Sequence, residues 1–120
     1  MEIGTRVLAV CSAKTEGSRY EVRLYGFGTY QGRSVPNEAV GWMAKDMREM
    51  GIMNPTILLD SGETIYGCEC WWGEAVSAAK RFRVNNDLSP ATSDTVVELL
   101  KIGDVRLAHS ERDNGNEESI

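Results

Sequence analysis

Aromatic and basic side chains concentrate in one stretch of the chain, where they could bind a ligand that carries both a planar ring and negative charge. Trp71 and Trp72 come shortly before the cluster Lys80-Arg81-Phe82-Arg83. An earlier strand-like run places Arg23 and Tyr25 on its outer face. A base stacked on an aromatic ring gains about 1–3 kcal/mol, and arginines hold phosphates through charged hydrogen bonds. These residue types indicate a binding site for an anionic ligand with an aromatic ring.

Core packing is the alternative interpretation of the same rings. Trp72 falls on the strand face that also carries Cys68 and Cys70, which is the more apolar of the two faces. Trp71 shares the opposite face with Glu69. We therefore expect Trp72 in the core and leave Trp71 open between the core and a ligand site.

The cysteines and the single histidine are candidate metal ligands. Cys11, Cys68, Cys70 and His109 would supply three sulfurs and one nitrogen. Structural zinc ligands usually come as C-x₂₋₄-C pairs, however, and a C-x-C on one strand directs both thiols into the core. We expect reduced, metal-free cysteines and no cofactor. The sequence has no P-loop, paired-carboxylate or metal-hydrolase motif, which favours a binding protein over an enzyme.

The composition limits the partners of the protein. The chain has 120 residues, with 13 basic and 18 acidic side chains and a net charge of −5. A protein of this charge repels DNA and RNA polymers, although a local arginine cluster can still bind a small ligand with a few phosphates. No apolar run approaches the roughly 20 residues of a membrane span. The first residues lack the features of a signal peptide, so we expect a cytoplasmic protein that contacts no membrane.

The elements that would position these side chains predict an α+β fold with a small, antiparallel, curled sheet. Strands are expected over residues 5–11, 20–30, 55–59 and 63–72. Val22 and Leu24 should share the buried face of the second strand. Gly26 and Gly28 mark a bend, a bulge or a close approach of backbones, and Asp60-Ser61-Gly62 predicts the turn of a hairpin.

An amphipathic helix is expected between the second and third strands. Ser34 or Asn37 could cap its start, and Gly51 should end it. Apolar residues recur at helical spacing and are expected in the core: Val40, Met43, Met47 and Met50.

The last third of the chain predicts short elements. A short helix should open at Gly73-Glu74, carry Lys80, Arg81 and Arg83 at its basic end, and be broken by the segment that starts at Asn85. Residues 95–102 fit either a helix or a strand because they are rich in β-branched side chains. We expect one ligand-binding domain over residues 1–108, with short C-terminal helices, and a polar, frayed tail over residues 109–120.

The chain also resembles a known family over residues 3–83. The segments that carry the resemblance are Ile3-Gly4-Thr5-Arg6-Val7, Tyr25-Gly26-Phe27-Gly28-Thr29-Tyr30 with Gly32 and Pro36, Asn54-Pro55 with Ile57, Leu59-Asp60-Ser61-Gly62, and Tyr66-Gly67-Cys68-Glu69-Cys70-Trp71-Trp72-Gly73. In these segments the chain resembles the small phage anti-Thoeris proteins, the first type of Thoeris anti-defence protein.

The resemblance implies a viral counter-defence protein that acts in the cytoplasm of the infected bacterium. Members of this family are sponges that sequester glycocyclic ADP-ribose signals made by bacterial TIR enzymes, without cleaving them. Some also bind cyclic trinucleotides at a separate site. The implied architecture is a β-rich α+β protomer in a homo-oligomer, a hexamer built from dimers.

The resemblance also implies site residues. The aromatic residue that stacks the adenine corresponds to Phe82, and the polar residue after it to Asn85 or Asn86. The late phosphate-binding arginines correspond to Arg106 and Arg112. Combined with the candidates suggested by residue type, the expected ligand-binding residues are Phe82, Arg106, Arg112, Asn85, Arg23 and Trp71.

A second class of function also fits the aromatic residues. A small β-barrel-like module could grip a peptide or a methylated side chain between Tyr25, Phe27, Tyr30 and Trp71. Such a site would need carboxylates near the rings, whereas a phosphate ligand needs converging arginines. A cyclic-nucleotide hydrolase is disfavoured because the sequence offers no evident acid–base set.

Overall fold

The computed structural model describes the backbone of residues 1–118 and the side chains of residues 1–112. In this part of the chain, the strands are β1 (Arg6–Glu16), β2 (Arg19–Ser34), β3 (Asn54–Leu59), β4 (Thr64–Tyr66), β5 (Trp71–Glu74) and β6 (Thr95–Leu99). The helices are α1 (Trp42–Met50), α2 (Ala75–Arg81) and α3 (Ile102–Glu118), with a 3₁₀ turn at Gly67–Glu69. The expected α+β fold is confirmed.

The strands form one curled, unclosed sheet around β2. The strand order is β4-β3-β2-β1-β5, and all of these neighbours are antiparallel. β2 is 16 residues long, so it can pair with two strands along the same edge. Its first half pairs with β6 in parallel, and its second half pairs with β3.

Irregular pairing between β1 and β2 contributes to the curl. The register shifts on either side of Val10, and Gly26 has a φ of 122°, which favours glycine. Gly28 permits a close approach of two strands, because a Cβ atom there would lie 2.5 Å from the carbonyl oxygen of Leu58. Of the alternatives predicted from Gly26 and Gly28, a bulge-like irregularity beside Gly26 and a close approach of backbones at Gly28 are therefore confirmed.

The two faces of the sheet carry separate hydrophobic clusters. Leu8, Val10, Val22 and Leu24 pack with α2 on one face. The other face carries Val7, Ala9, Tyr25, Tyr30, Ile57 and the first residue of α3, Ile102. The alternation along β1 and β2 explains this division, because successive side chains point to opposite faces. α2 thus covers one face and the start of α3 the other.

The strand expected over residues 63–72 is interrupted. β4 ends at Tyr66, where the Glu69 carboxylate accepts a hydrogen bond from the Tyr66 backbone N–H and stabilises the 3₁₀ turn. The chain then leaves β3 and pairs with β1 as β5. Cys68 consequently packs near Tyr66, while Cys70 packs in the cluster around Val7. The expectation that both cysteines share one strand face was wrong.

α1 also differs from the expectation at its start and on its apolar side. Ser34 remains in β2, where it pairs with Asn54, so the helix begins only after Gly41. Its end at Gly51, in a left-handed conformation, is as predicted. Met43 and Met50 are exposed, and Ala44 is the buried residue of the helix. The expectation that the methionine stripe lies in the core was wrong for these two residues, which stay 43% and 72% exposed because the buried side of α1 is the one that carries Ala44.

The C-terminal part resolves the alternatives for residues 95–102. Thr95–Leu99 is a strand, consistent with its β-branched residues. α3 begins at Ile102 and continues through position 109, where we expected a frayed tail, as far as Glu118. Residues 119–120 of that tail lie outside the described residues. None of the described helices is both long and apolar enough to cross a bilayer.

Candidate functional site

An aromatic cleft lies between β5 and α2. Its volume is about 160 Å³, and its lining residues are Trp71, Trp72, Gly73, Glu74, Ser77, Ala78, Arg81 and Phe82. The Trp71 side chain is 65% exposed, whereas Phe82 is half-buried against the cluster under α2. Trp72 is half-buried on the other side of the sheet, stacked on Tyr30 with ring centroids 5.7 Å apart. The cleft therefore brings together two of the predicted ligand-binding residues, Trp71 and Phe82.

The ends of α2 position this cleft. At its start, the Glu74 carboxylate accepts hydrogen bonds from the backbone N–H groups of Ser77 and Val76, which lower the pKa of Glu74. At its end, the Phe82 N–H donates to the carbonyl oxygen of Ala78. The chain then turns sharply, with a φ of 58° at Arg83. Phe82 is thus held as the residue that caps the C-terminal end of α2.

On this side of the molecule, two arginine guanidinium groups lie over aromatic rings. The Arg81 guanidinium lies 5.3 Å from the centroid of the Phe82 ring, and that of Arg83 lies 4.7 Å from the Tyr20 ring. Arg81 lines the cleft and is exposed, so its N–H groups can reach a bound anion. Glu74 is the opposing charge in the cleft lining, but its carboxylate is engaged at the start of α2.

A second, basic cavity lies between β2, β6 and α3. Its volume is about 530 Å³, and its charged and titratable lining residues are Cys11, Arg23, Glu98, Lys101, Asp104, His109 and Arg112. Arg23 pairs with Glu98 at 3.0 Å, and both side chains are about half exposed. Lys101 and Arg112 then face a single further carboxylate, that of Asp104. The predicted residues Arg23 and Arg112 meet here, away from the aromatic cleft.

Arg106 forms a buried ion pair that we call the α3 anchor. Its Nε and Nη2 atoms donate to the two carboxylate oxygens of Glu69 at 2.9 and 2.7 Å, and Nη2 also donates to the Thr64 carbonyl oxygen. The Arg106 and Glu69 side chains are 16% and 11% exposed. Hydrogen bonding to Glu69 raises the pKa of Arg106. The Nε and Nη2 edge of this guanidinium is already occupied by Glu69, so the geometry does not favour the phosphate-binding role expected for Arg106.

Asn85 stabilises the loop after α2. Its side-chain amide donates to the Ser89 hydroxyl at 3.1 Å and to the Pro90 carbonyl oxygen at 3.4 Å. The alternative residue, Asn86, lines a different small cavity beside Phe27. Neither asparagine is among the residues that line the aromatic cleft.

Sequence analysis missed Trp42 as a candidate binding residue. A cavity of about 250 Å³ lies between the start of α1, the 3₁₀ turn and α3, and Trp42, His109 and Arg112 line it. Trp42 is 65% exposed, the same fraction as Trp71. The sequence feature that could have identified Trp42 is its position just outside the methionine stripe. This position places an indole on the polar side of an amphipathic helix.

Most of the aromatic residues expected to form a peptide-binding site are buried. Tyr25, Phe27 and Tyr30 are buried in the clusters of the sheet, and of the four rings considered for that function only Trp71 is exposed. The three cysteines are free thiols, and no group of three or more metal-ligating side chains occurs among the residues described.

Comparisons of the chain with protein-family models, with curated proteins and with solved structures give no match.

Proposed function

We propose that the protein binds and sequesters a cyclic nucleotide signal, such as glycocyclic ADP-ribose, without cleaving it. The observation that carries this proposal is the juxtaposition of Trp71, Phe82 and Arg81 in one cleft. Two rings provide stacking surface for a base, and an exposed guanidinium beside them suits a phosphate.

The size of the cleft supports a site shared between protomers. At about 160 Å³ the cleft can hold a base, whereas sites for whole small molecules usually measure roughly 300–1,000 Å³. The remainder of a cyclic nucleotide would extend outside it, and a second copy of the chain could supply the missing wall and further cations. Lys101 and Arg112 of the basic cavity are the candidates for that role. We accordingly propose a homo-oligomer, and the resemblance favours a hexamer.

The energetics favour several charged contacts. Capture at nanomolar concentration corresponds to about −12 kcal/mol, of which one stacked base supplies roughly 1–3 kcal/mol. Charged hydrogen bonds contribute about 1.5–3 kcal/mol each and gain strength in a closed site. A pocket closed by two protomers would provide that environment.

In this proposal the protein acts in the cytoplasm of an infected bacterium. Removal of the signal would block the anti-phage defence that depends on it. The net charge of −5 favours a small ligand over a nucleic acid polymer.

Calorimetric titration with glycocyclic ADP-ribose tests the proposal. We expect tight binding and, after heat denaturation of the complex, full recovery of the intact ligand. Recovery of a cleaved product would instead identify an enzyme, and no binding across glycocyclic ADP-ribose isomers and cyclic oligonucleotides would contradict the proposal.

A matched pair of variants locates the site. Trp71→Ala and Trp42→Ala each remove an indole that is 65% exposed, but from different cavities. We expect Trp71→Ala to weaken binding by about 10-fold or more and Trp42→Ala to change it by less than about 2-fold. The reverse pattern would move the site to the cavity beside α1 and overturn the role of the cleft.

A further inference from the structure

Cys11 of β1 and Cys70, the residue before β5, lie at adjoining positions where these two strands stop pairing. Their antiparallel pairing runs from Val7–Glu74 to Val10–Trp71, and continuing this register by one position sets Cys11 against Cys70, at the residue where β1 bulges against β2. Cys70 retains an extended backbone, with φ −155° and ψ 165°, so the geometry of β5 continues back to it. Facing residues in antiparallel strands have Cα atoms about 4.5–5.5 Å apart, within the roughly 4.4–6.8 Å that a disulfide spans.

The two side chains also lie on the same face of the sheet. Both pack against the cluster that contains Val7, Ala9 and Tyr25. Burial raises the pKa of the Tyr25 phenol, and the neighbouring Cys11 and Cys70 raise it further. Both thiols therefore lie close to the same ring, as facing side chains should.

The two thiols differ in their access to solvent. Cys11 is half-buried and lines the basic cavity of about 530 Å³, which gives a small molecule a route to this residue. Burial raises the pKa of the Cys70 thiol, and this sulfur is hydrogen-bonded to the Tyr66 carbonyl oxygen at 3.6 Å. With Arg23 paired to Glu98, the cavity wall still presents Lys101 and Arg112 against one carboxylate, that of Asp104, which favours an anionic reagent.

We propose that Cys11 and Cys70 are a redox-active pair, which an anionic small-molecule disulfide such as oxidised glutathione converts into a cross-strand disulfide between β1 and β5. The inference is independent of the proposed ligand function. It rests on the strand register, the shared face and the open cavity at Cys11.

The chemistry proceeds by two thiol–disulfide exchanges. The Cys11 thiolate attacks one sulfur of oxidised glutathione, forms a mixed disulfide and releases one glutathione thiolate. The Cys70 thiolate then attacks the Cys11 sulfur, breaks the mixed disulfide and releases the second glutathione thiolate. The protein thiols give their two protons to solvent and two electrons to glutathione, which leaves as two reduced molecules.

Cys68 provides the internal comparison. It lies two residues from Cys70, yet it packs against Ala39, Ala44 and Tyr66 instead of the cluster around Val7. The pairing should therefore be selective for Cys11 and Cys70.

The test uses the full chain with Cys68→Ser, which leaves one possible intramolecular pair. After treatment of the folded protein with oxidised glutathione, we expect a loss of about 2 Da and a linked Cys11–Cys70 peptide pair. The cross-link should raise Tm by about 5–15 °C, since it closes a long loop in the unfolded chain, and dithiothreitol should reverse the shift. In this background, Cys70→Ser should stop at glutathione bound to Cys11, and Cys11→Ser should remain largely unmodified.

Wild-type protein gives a parallel readout that does not depend on the folding of any variant. Cleavage after Glu69 separates Cys68 from Cys70, so the peptides identify the partner of Cys11 directly. A Cys68–Cys70 link, equal reaction of all three thiols, or a Cys11–Cys70 link that forms only in urea would overturn the proposal.

Discussion

The aromatic cleft and the α3 anchor present arginine in opposite ways. In the cleft, Arg81 is exposed over the Phe82 ring, and the ion pairs found among the described residues do not include it. In the anchor, Arg106 is largely buried and already binds both oxygens of Glu69. A guanidinium of the first kind can accept an incoming anion without losing a partner, whereas one of the second kind stabilises the fold.

The difference separates two roles that look the same in a sequence. Arg81 and Arg106 are both basic residues in the C-terminal part of an acidic protein, and the sequence around each offers no partner that tells them apart. Only the partner decides between them, and that partner, Glu69, is 37 residues away from Arg106 in the chain. Variants of each region can test whether Arg106 is structural and Arg81 binds ligand.

The largest effect is expected when the α3 anchor is broken. Glu69→Gln leaves the Arg106 charge in a largely buried position without its carboxylate partner. Loss of one member of a fully buried pair costs about 3–5 kcal/mol, and the residual exposure here reduces the expected loss to about 2–4 kcal/mol. Urea unfolding followed by circular dichroism measures this free energy.

Arg23→Ala is the control for that measurement. It breaks the exposed pair with Glu98, and such pairs contribute about 0.2–1 kcal/mol. If Glu69→Gln costs no more than Arg23→Ala, the α3 anchor is not a stabilising element.

The next effect concerns stacking in the aromatic cleft. Phe82→Ala removes one of the two rings and should weaken the binding of glycocyclic ADP-ribose by about 10- to 100-fold, or about 1.4–2.8 kcal/mol. Phe82→Leu keeps most of the side-chain volume against the core but removes the aromatic face. Similar losses in both variants, measured by calorimetry, would indicate stacking; a loss in Phe82→Ala alone would indicate a packing role.

Arg81→Ala should have a smaller effect on binding, of about 5- to 10-fold. Because the contact is electrostatic and exposed, the loss should shrink as the salt concentration of the titration rises. Arg106→Ala is the comparison, since we expect it to lower stability and leave the affinity of the folded fraction within about 2-fold. A large loss of affinity in folded Arg106→Ala would restore the phosphate-binding role that the resemblance implies.

Local features of the fold could be read from the sequence. Alternation placed Val22 and Leu24 on one buried face, and the end of α1 followed from Gly51. α2 followed from the acidic residue before it and the alanine spacing within it. Each of these depends on neighbouring residues only, through side-chain periodicity or a capping interaction.

The features that could not be read depend on distant partners. Ser34 stays in β2 because it pairs with Asn54, and the exit from β4 depends on how Glu69 reaches back to Tyr66 while binding Arg106. Periodicity identified the methionine stripe of α1 but not whether another element covers it. For the site, residue type alone brought Trp71 and Phe82 to attention, whereas the separation of Arg106 from them required the fold.

The smallest expected effect comes from a third arginine, Arg6. It has a carboxylate partner, as Arg106 does, but it is exposed to solvent, as Arg81 is. Arg6 donates to both carboxylate oxygens of Asp60 at 2.6 and 2.8 Å, but the side chains are 51% and 60% exposed. The hydrogen bond from Arg6 lowers the pKa of Asp60 in the folded protein. Folding is therefore favoured at a pH above the unfolded pKa of about 3.9, and this contribution is lost as the pH falls through the lower folded value. Exposure to solvent limits this contribution to about 0.2–1 kcal/mol.

The difference in unfolding free energy between wild type and Asp60→Asn should therefore be largest near pH 7 and should shrink toward pH 3. A difference that stays constant over this range would show that Asp60 acts through packing or turn geometry instead of charge.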